Sequence, residues 1–123
     1  IVQGKNKNWY KEEQKMANET AKHLTGADFE SFLTEKKVAL VDFWASWCGP
    51  CRMVGPVVEQ LAAEYAGRAN VGKVNVDEQN ALAAQFGVMS IPTVVVFENG
   101  KEVDRLVGAR SIGDYKAAID ARL

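Results

Sequence analysis

The sequence of 123 residues has few side chains that could bind a transition metal. It contains two cysteines, Cys48 and Cys51, and one histidine, His23. A tetrahedral structural zinc site needs four such ligands, so this chain could bind zinc in that way only by sharing the site with a second chain. The number of cysteines does not by itself assign the protein to a compartment.

The sequence also lacks an excess of charge of either sign and a long apolar run. The formal net charge is −1, which gives no indication of the basic surface that nucleic-acid-binding proteins use. No apolar run approaches the roughly 20 residues that a membrane-spanning helix requires. We therefore expect neither a nucleic acid nor a membrane as a partner.

The length and the 47% of hydrophobic residues fit a single domain with one substantial core. Residues 1–20 differ from the rest, because they are polar, rich in lysine and without a sustained apolar face. They are predicted to be an extension that is flexible or derived from an expression vector, with Met16 as a candidate natural start. In the alternative interpretation the extension is genuine, and Trp9 and Tyr10 pack on the domain. The predicted domain is residues 21–123.

The two cysteines lie at a predicted junction between a strand and a helix. The apolar residues 38–45 precede Cys48, and a helical pattern runs from Cys51 to about Tyr65. A helix N-terminus has free N–H groups and a partial positive charge, which favour the thiolate form of Cys48. Pro50 suits the first helical turn, because an N–H group at that position would have no hydrogen-bond partner within the helix.

Two cysteines separated by two residues, near a β-α-β pattern and with no other cysteine, indicate a redox dithiol. The alternative is that both are buried structural thiols. The Gly49-Pro50 spacer argues against it, and so does the position of the cysteines at a helix start. The redox interpretation requires one sulfur that is ionised and accessible to solvent.

Apolar periodicity and turn residues predict the remaining elements. The predicted strands are residues 23–24, 38–45, 71–77, 93–97 and 102–107, and the predicted helices are residues 27–35, 51–65, 81–86 and a last one from residue 112. The segment 38–45 is apolar on both faces, as in a strand covered on both sides. Asn80 is predicted to cap the third helix. The predicted fold class is α/β, a central mixed five-stranded sheet flanked by four helices.

Asp42 is the one charged residue in the buried strand 38–45. Loss of hydration raises the pKa of a carboxyl group, so Asp42 is a candidate acid or base at neutral pH. An aspartate that is hydrogen-bonded to the backbone near the strand end is the alternative, because an unpaired buried aspartate costs stability.

Several separate motifs, in the right order and at plausible spacing, resemble the thioredoxin family. The resemblance covers about residues 23–123, and Gly55 departs from it where alanine is more usual. The motifs are Trp47-Cys48-Gly49-Pro50-Cys51 preceded by Val41-Asp42-Phe43-Trp44-Ala45, with Ser90-Ile91-Pro92-Thr93 and Val107-Gly108-Ala109 downstream.

The resemblance implies the thioredoxin fold and the reduction of protein disulfides by dithiol–disulfide exchange, in which the protein carries electrons for cell redox homeostasis. In this interpretation Cys48 attacks the substrate and Cys51 resolves the mixed disulfide. Asp42 assists the deprotonation of Cys51, and Lys73 lies near Asp42. The role of Gly49 and Pro50 is inferred from their residue types and not from the resemblance. They keep the loop between the two sulfurs short and stiff.

The resemblance also implies a substrate-binding surface. The Ile91–Pro92 bond is expected to be cis and to face the cysteines, which leaves the backbone of Ile91 free to pair with an extended substrate segment. Trp47, Ile91, Pro92 and Gly108 are expected to form a flat apolar patch around Cys48.

The same resemblance implies that the chain binds no cofactor or metal and acts as a monomer in the cytoplasm. A flavin-containing thioredoxin reductase would regenerate its dithiol with electrons from NADPH, and disulfide-containing proteins would be its substrates. A disulfide oxidase or isomerase is one alternative, although the oxidising relatives more often carry a histidine between the cysteines. A non-catalytic binding module with the same fold is the other.

Overall fold

The computed structural model describes residues 20–123. The expectations for residues 1–19, including Met16, Trp9 and Tyr10, lie outside the described residues. Nine elements follow one another in the described part: β1 (Lys22–His23), α1 (Phe29–Glu35), β2 (Val38–Trp44), α2 (Gly49–Glu64), β3 (Asn70–Asn75), α3 (Asn80–Gln85), β4 (Thr93–Glu98), β5 (Lys101–Val107) and α4 (Ile112–Asp120). None of the helices in this range has the length and apolar character to cross a bilayer.

The five strands form one mixed sheet in the order β1-β3-β2-β4-β5. β3 pairs in parallel with β1 and β2, whereas β4 is antiparallel to both β2 and β5. The predicted α/β fold with five strands and four helices is therefore confirmed, and β2 is the central strand. The first strand lies one residue earlier than predicted, and β3 ends two residues earlier.

β2 is covered on both faces, as its composition predicts. Successive side chains of a strand point to opposite faces, so Leu40 packs with α2 and α4 while Val41 and Phe43 pack with α1 and α3. Residues 38–43 are fully buried as a result. β2 ends at Trp44, and a short turn leads from there to the start of α2 at Gly49.

The starts of two helices differ from the prediction. α1 begins at Phe29 instead of residue 27, because Asp28 Oδ1 accepts a hydrogen bond from the Thr25 N–H at 2.8 Å and holds a turn before the helix. The prediction that Asn80 caps α3 is wrong. Gln79 is the N-cap residue, without a side-chain hydrogen bond, and Asn80 is the first residue of the helix.

Two glycines provide a matched test of the packing. A Cβ at Gly55, inside α2, would meet Lys73 Nζ at 3.6 Å, whereas a Cβ at Gly72, on β3, would meet Leu24 Cδ1 at 2.8 Å and the Phe32 ring at 3.0 Å. We predict that Gly55→Ala raises the free energy of unfolding by about 0.5–1 kcal/mol, because glycine is a poor helix residue. Gly72→Ala should lower it by about 1–3 kcal/mol, because the core becomes overpacked.

Urea denaturation at neutral pH measures both free energies of unfolding. Changes of the same sign in the two variants would contradict the packing described here.

Candidate active site

The two cysteines form a disulfide bond at the junction of β2 and α2, with their Cα atoms 5.3 Å apart. Cys48 is the N-cap residue of α2, and its Sγ accepts a hydrogen bond from the Cys51 N–H at 3.2 Å. Gly49 and Pro50 form the exposed first turn. After reduction, this N–H and the helix dipole would stabilise a thiolate at Cys48.

Both cysteines are largely buried in this oxidised form, in which the prediction expects one sulfur that solvent can reach. Cys48 is 5% exposed and Cys51 is 4% exposed. The carbonyl oxygen of Ile91 lies 3.7 Å from Cys48 Sγ, so the segment before β4 covers part of the disulfide. A substrate disulfide therefore has to approach Cys48 beside this segment.

The Ile91–Pro92 peptide bond is cis, which confirms the expectation drawn from the resemblance. Two hydrogen bonds hold this segment. The Pro92 carbonyl accepts from the Gly108 N–H at 2.8 Å, and Thr93 Oγ1 donates to the Ser90 carbonyl at 2.6 Å. The structure thus brings Ile91, Pro92 and Gly108 together next to the disulfide.

Only part of the expected apolar patch is open to solvent. Trp47 is 67% exposed and Ile91 is half-buried, but Pro92 is buried because β4 begins immediately after it and draws it into the sheet. Asp77 holds the Trp47 ring, since the indole Nε1–H donates to its Oδ2 at 2.9 Å. Sequence reasoning missed Asp77, although its position just after β3 places it beside the end of the neighbouring strand β2.

A groove of about 410 Å³ runs from Trp47 to Ile91. The half-buried Val76 and Val88 and the exposed Met89 also line it. Met89 is a further residue that sequence reasoning missed, because exposure of a methionine in a loop leaves no pattern in the sequence. This open groove lies along the surface that Trp47 and Ile91 share.

Asp42 is fully buried, and neither of its carboxyl oxygens has a hydrogen-bond partner within residues 20–123. The alternative of an aspartate hydrogen-bonded to the backbone is therefore wrong. Burial raises the pKa of Asp42 to about 7, against the lowering effect of Lys73 and with a further raising effect of Glu59. Asp42 can therefore change its protonation state near neutral pH.

Lys73 is the register neighbour of Asp42 on β3, but its ammonium group pairs with Glu59 instead. The distance between Lys73 Nζ and Glu59 Oε2 is 3.2 Å. Sequence reasoning missed Glu59, although the spacing of Cys51, Gly55 and Glu59 at i, i+4 and i+8 places all three on one face of α2. We call Asp42, Glu59 and Lys73 the buried charge cluster.

The chain is similar in sequence to a known protein family and to individual proteins of that family. The family model "Thioredoxin" matches residues 20–121. Thioredoxins of Staphylococcus aureus strains Mu50 and USA300 are each 49% identical over 100 residues, which is 81% of this chain and 95% of the relative.

Two solved structures are similar in fold and sequence. A variant thioredoxin from Halobacterium salinarum NRC-1 has a TM-score of 0.77 at 38% identity, covering 83% of this chain and 89% of that one. A thioredoxin from Malassezia sympodialis has a TM-score of 0.74 at 38% identity, covering 83% and 90%.

The raised pKa of Asp42 predicts a pH-dependent stability. The unfolded chain loses this proton near pH 3.8 and the folded chain near pH 7, so the free energy of unfolding falls as the pH rises between these values. Asp42→Asn removes the effect. We expect the variant to be more stable than the wild type by roughly 4 kcal/mol above this range and by almost nothing below it.

Urea denaturation at a series of pH values measures this difference. Asp104→Asn is the control, because Asp104 is exposed on β5. A stability gain in Asp42→Asn that is equally large at all pH values would contradict the titration of a buried carboxyl group.

Proposed function

The chain belongs to the thioredoxin family and is a thiol–disulfide oxidoreductase that reduces protein disulfides, and on that premise we propose distinct roles for its two cysteines. The Cys48 thiolate attacks one sulfur of a substrate disulfide, that S–S bond breaks, and one substrate thiolate leaves. The Cys51 thiolate then attacks Cys48 Sγ and expels the second substrate thiolate. The substrate gains two electrons, and Cys48–Cys51 becomes the disulfide.

The observation that carries this assignment is the position of Cys48 at the N-cap of α2. Its sulfur accepts the Cys51 N–H at 3.2 Å, a contact that favours negative charge on Cys48. Cys51 lies within the first turn and its own N–H is the donor. Cys48 is therefore the better nucleophile, and Gly49 and Pro50 keep Cys51 close enough to complete the exchange.

Asp42 is proposed to accept the proton of Cys51 before the second attack. A free cysteine thiol has a pKa of about 8.5, and a carboxylate with a pKa of about 7 is a matched base at neutral pH. Lys73 is proposed to support the ionised form of Asp42 by its charge.

Substrate is proposed to bind across Trp47, Ile91 and Gly108, with Pro92 supporting the segment from beneath. The support for this is that Ile91 lies beside Cys48 and that the groove next to Trp47 is apolar. An extended peptide could pair there with the Ile91 backbone as an added strand. The apolar side chains would supply affinity without selecting one sequence, as a general reductant requires.

A thioredoxin reductase is proposed as the partner that restores the dithiol, with NADPH as the source of electrons and no cofactor held by this chain. Disulfide-containing proteins are the proposed substrates, and a monomer in the cytoplasm is the proposed form and place of action. The similarity to bacterial thioredoxins over most of the chain supports the proposed reductase, substrates and place of action.

Trapping of a mixed disulfide tests the roles of the cysteines. In Cys51→Ser the first attack can occur but the second cannot, so we expect a covalent complex with a disulfide-bonded protein such as insulin. Cys48→Ser should form none, and the wild type should reduce the substrate without accumulating a complex. Non-reducing electrophoresis and mass spectrometry identify the linked cysteine, and a complex through Cys51 in Cys48→Ser would reverse the assignment.

Equilibration with a dithiothreitol redox buffer tests the direction of the reaction. We expect a potential near the value of about −270 mV that is known for thioredoxin itself, far from the value of about −120 mV of a strong periplasmic oxidant. Alkylation of the free thiols followed by mass spectrometry measures the reduced fraction. A potential near the oxidising value would make the chain a disulfide oxidase.

A further inference from the structure

Lys73 has two carboxyl groups within its surroundings and makes an ion pair with only one of them. Asp42 is its direct register neighbour on β2, yet both Asp42 oxygens lack a hydrogen-bond partner within residues 20–123. Glu59, which comes from α2, takes the ammonium group at 3.2 Å. The structure therefore separates the buried cation from the carboxyl group that is closest to it in the sheet.

Glu59 is held firmly in this position. Its Oε1 accepts a hydrogen bond from the Ala21 N–H at 2.8 Å, and its Oε2 accepts one from Lys73 Nζ. On the other side, Lys73 Nζ lies 5.5 Å from the centre of the Trp44 ring, within the range of a cation–π contact. The side chains of Glu59 and Lys73 are only 6% and 12% exposed, so water screens their charges little.

We propose that Glu59 is a positioning residue for the reaction, which holds the Lys73 ammonium group off Asp42 so that Asp42 keeps the ability to accept and return a proton. Direct contact with Lys73 would fix Asp42 as a permanently ionised carboxylate and a weak base. This inference rests on the proposed role of Asp42 toward Cys51.

The charges around Asp42 agree with this role. Lys73 on β3 lowers the pKa of Asp42, whereas Glu59 on α2 raises it. α2 also carries Cys51, which bears no charge in the disulfide, and α4 contributes the phenol of Tyr115, whose pKa is itself raised by burial. Burial is the main cause of the raised pKa of Asp42, and Lys73 and Glu59 are charges that adjust it in opposite directions.

The pair also lies where the second cysteine reacts. A cavity of about 390 Å³ is lined by Cys51, Glu59 and Lys73 together, with Trp44 and Gly55 among its other walls. A change at Glu59 therefore acts in the immediate surroundings of Cys51, and its effect need not pass through the rest of the fold.

The variant Glu59→Gln tests the inference, because glutamine keeps the size and an acceptor oxygen but removes the charge. In the oxidised full chain, carbon-13 NMR of the Asp42 carboxyl group measures its titration. We expect the midpoint to fall by about one pH unit, since Lys73 then acts on Asp42 without opposition. Glu64→Gln is the control, because Glu64 lies on the same helix but is exposed and pairs with Lys116. Its midpoint should match the wild type.

Glu59→Asp keeps the charge and should restore a midpoint close to that of the wild type. An unchanged midpoint in Glu59→Gln, with or without a loss of thermal stability, would overturn the inference and leave Glu59 a purely structural residue. If Glu59→Gln does not fold, Lys73→Gln replaces it. We then expect the midpoint to rise, because Glu59 remains without its counterion, and an unchanged or lower midpoint would overturn the inference.

A kinetic measurement separates this inference from the proposed function. The rate at which Cys51 resolves a mixed disulfide between Cys48 and a thionitrobenzoate group is followed by absorbance against pH. Its pH dependence should shift together with the NMR midpoint in Glu59→Gln. If the NMR midpoint moves while the kinetic profile stays in place, Glu59 does control Asp42, and it is the proton transfer from Cys51 to Asp42 that fails.

Discussion

The burial of β2 on both faces is the constraint on which the rest of this structure depends. Because two cores enclose residues 38–43, the strand is held between them, and the chain leaves it close to the start of α2. Cys48 therefore meets the free N–H groups of the helix, and Asp42 is kept from water. The same burial that stabilises the fold makes an ionised Asp42 unfavourable. The core therefore influences the protonation state of Asp42.

The buried charge cluster shows how a cation can influence a carboxyl group without binding it. A buried ion pair contributes little net stability when the loss of hydration is included, although removing one partner is strongly destabilising. The main effect of the Glu59–Lys73 pair is therefore the electrostatic potential that its two fixed charges create at Asp42. The cation–π contact with Trp44 and the hydrogen bond from the Ala21 backbone keep these charges in place.

The elements that could be predicted from sequence are those with a local cause. The apolar run of β2, the dithiol before a helical pattern and the two strands β4 and β5 are examples. The cis bond at Pro92 could be expected only from the resemblance, because most bonds before proline are trans. The Glu59–Lys73 pair depends on side chains that meet across the helix–sheet boundary, and the cover over Cys48 depends on the Ile91 carbonyl in the segment before β4. No local pattern determines which of two carboxylates a lysine reaches, so this part of the site follows only from the three-dimensional structure.

The hydrogen bond from Ala21 to Glu59 has a consequence for protein engineering. Ala21 lies immediately before β1, and its amide is one of the two donors that hold the Glu59 carboxylate. A fusion partner, affinity tag or cleavage site attached just before Ala21 therefore lies next to a hydrogen bond that holds Glu59 in the buried charge cluster. The sequence at that junction should be chosen so that this hydrogen bond is kept.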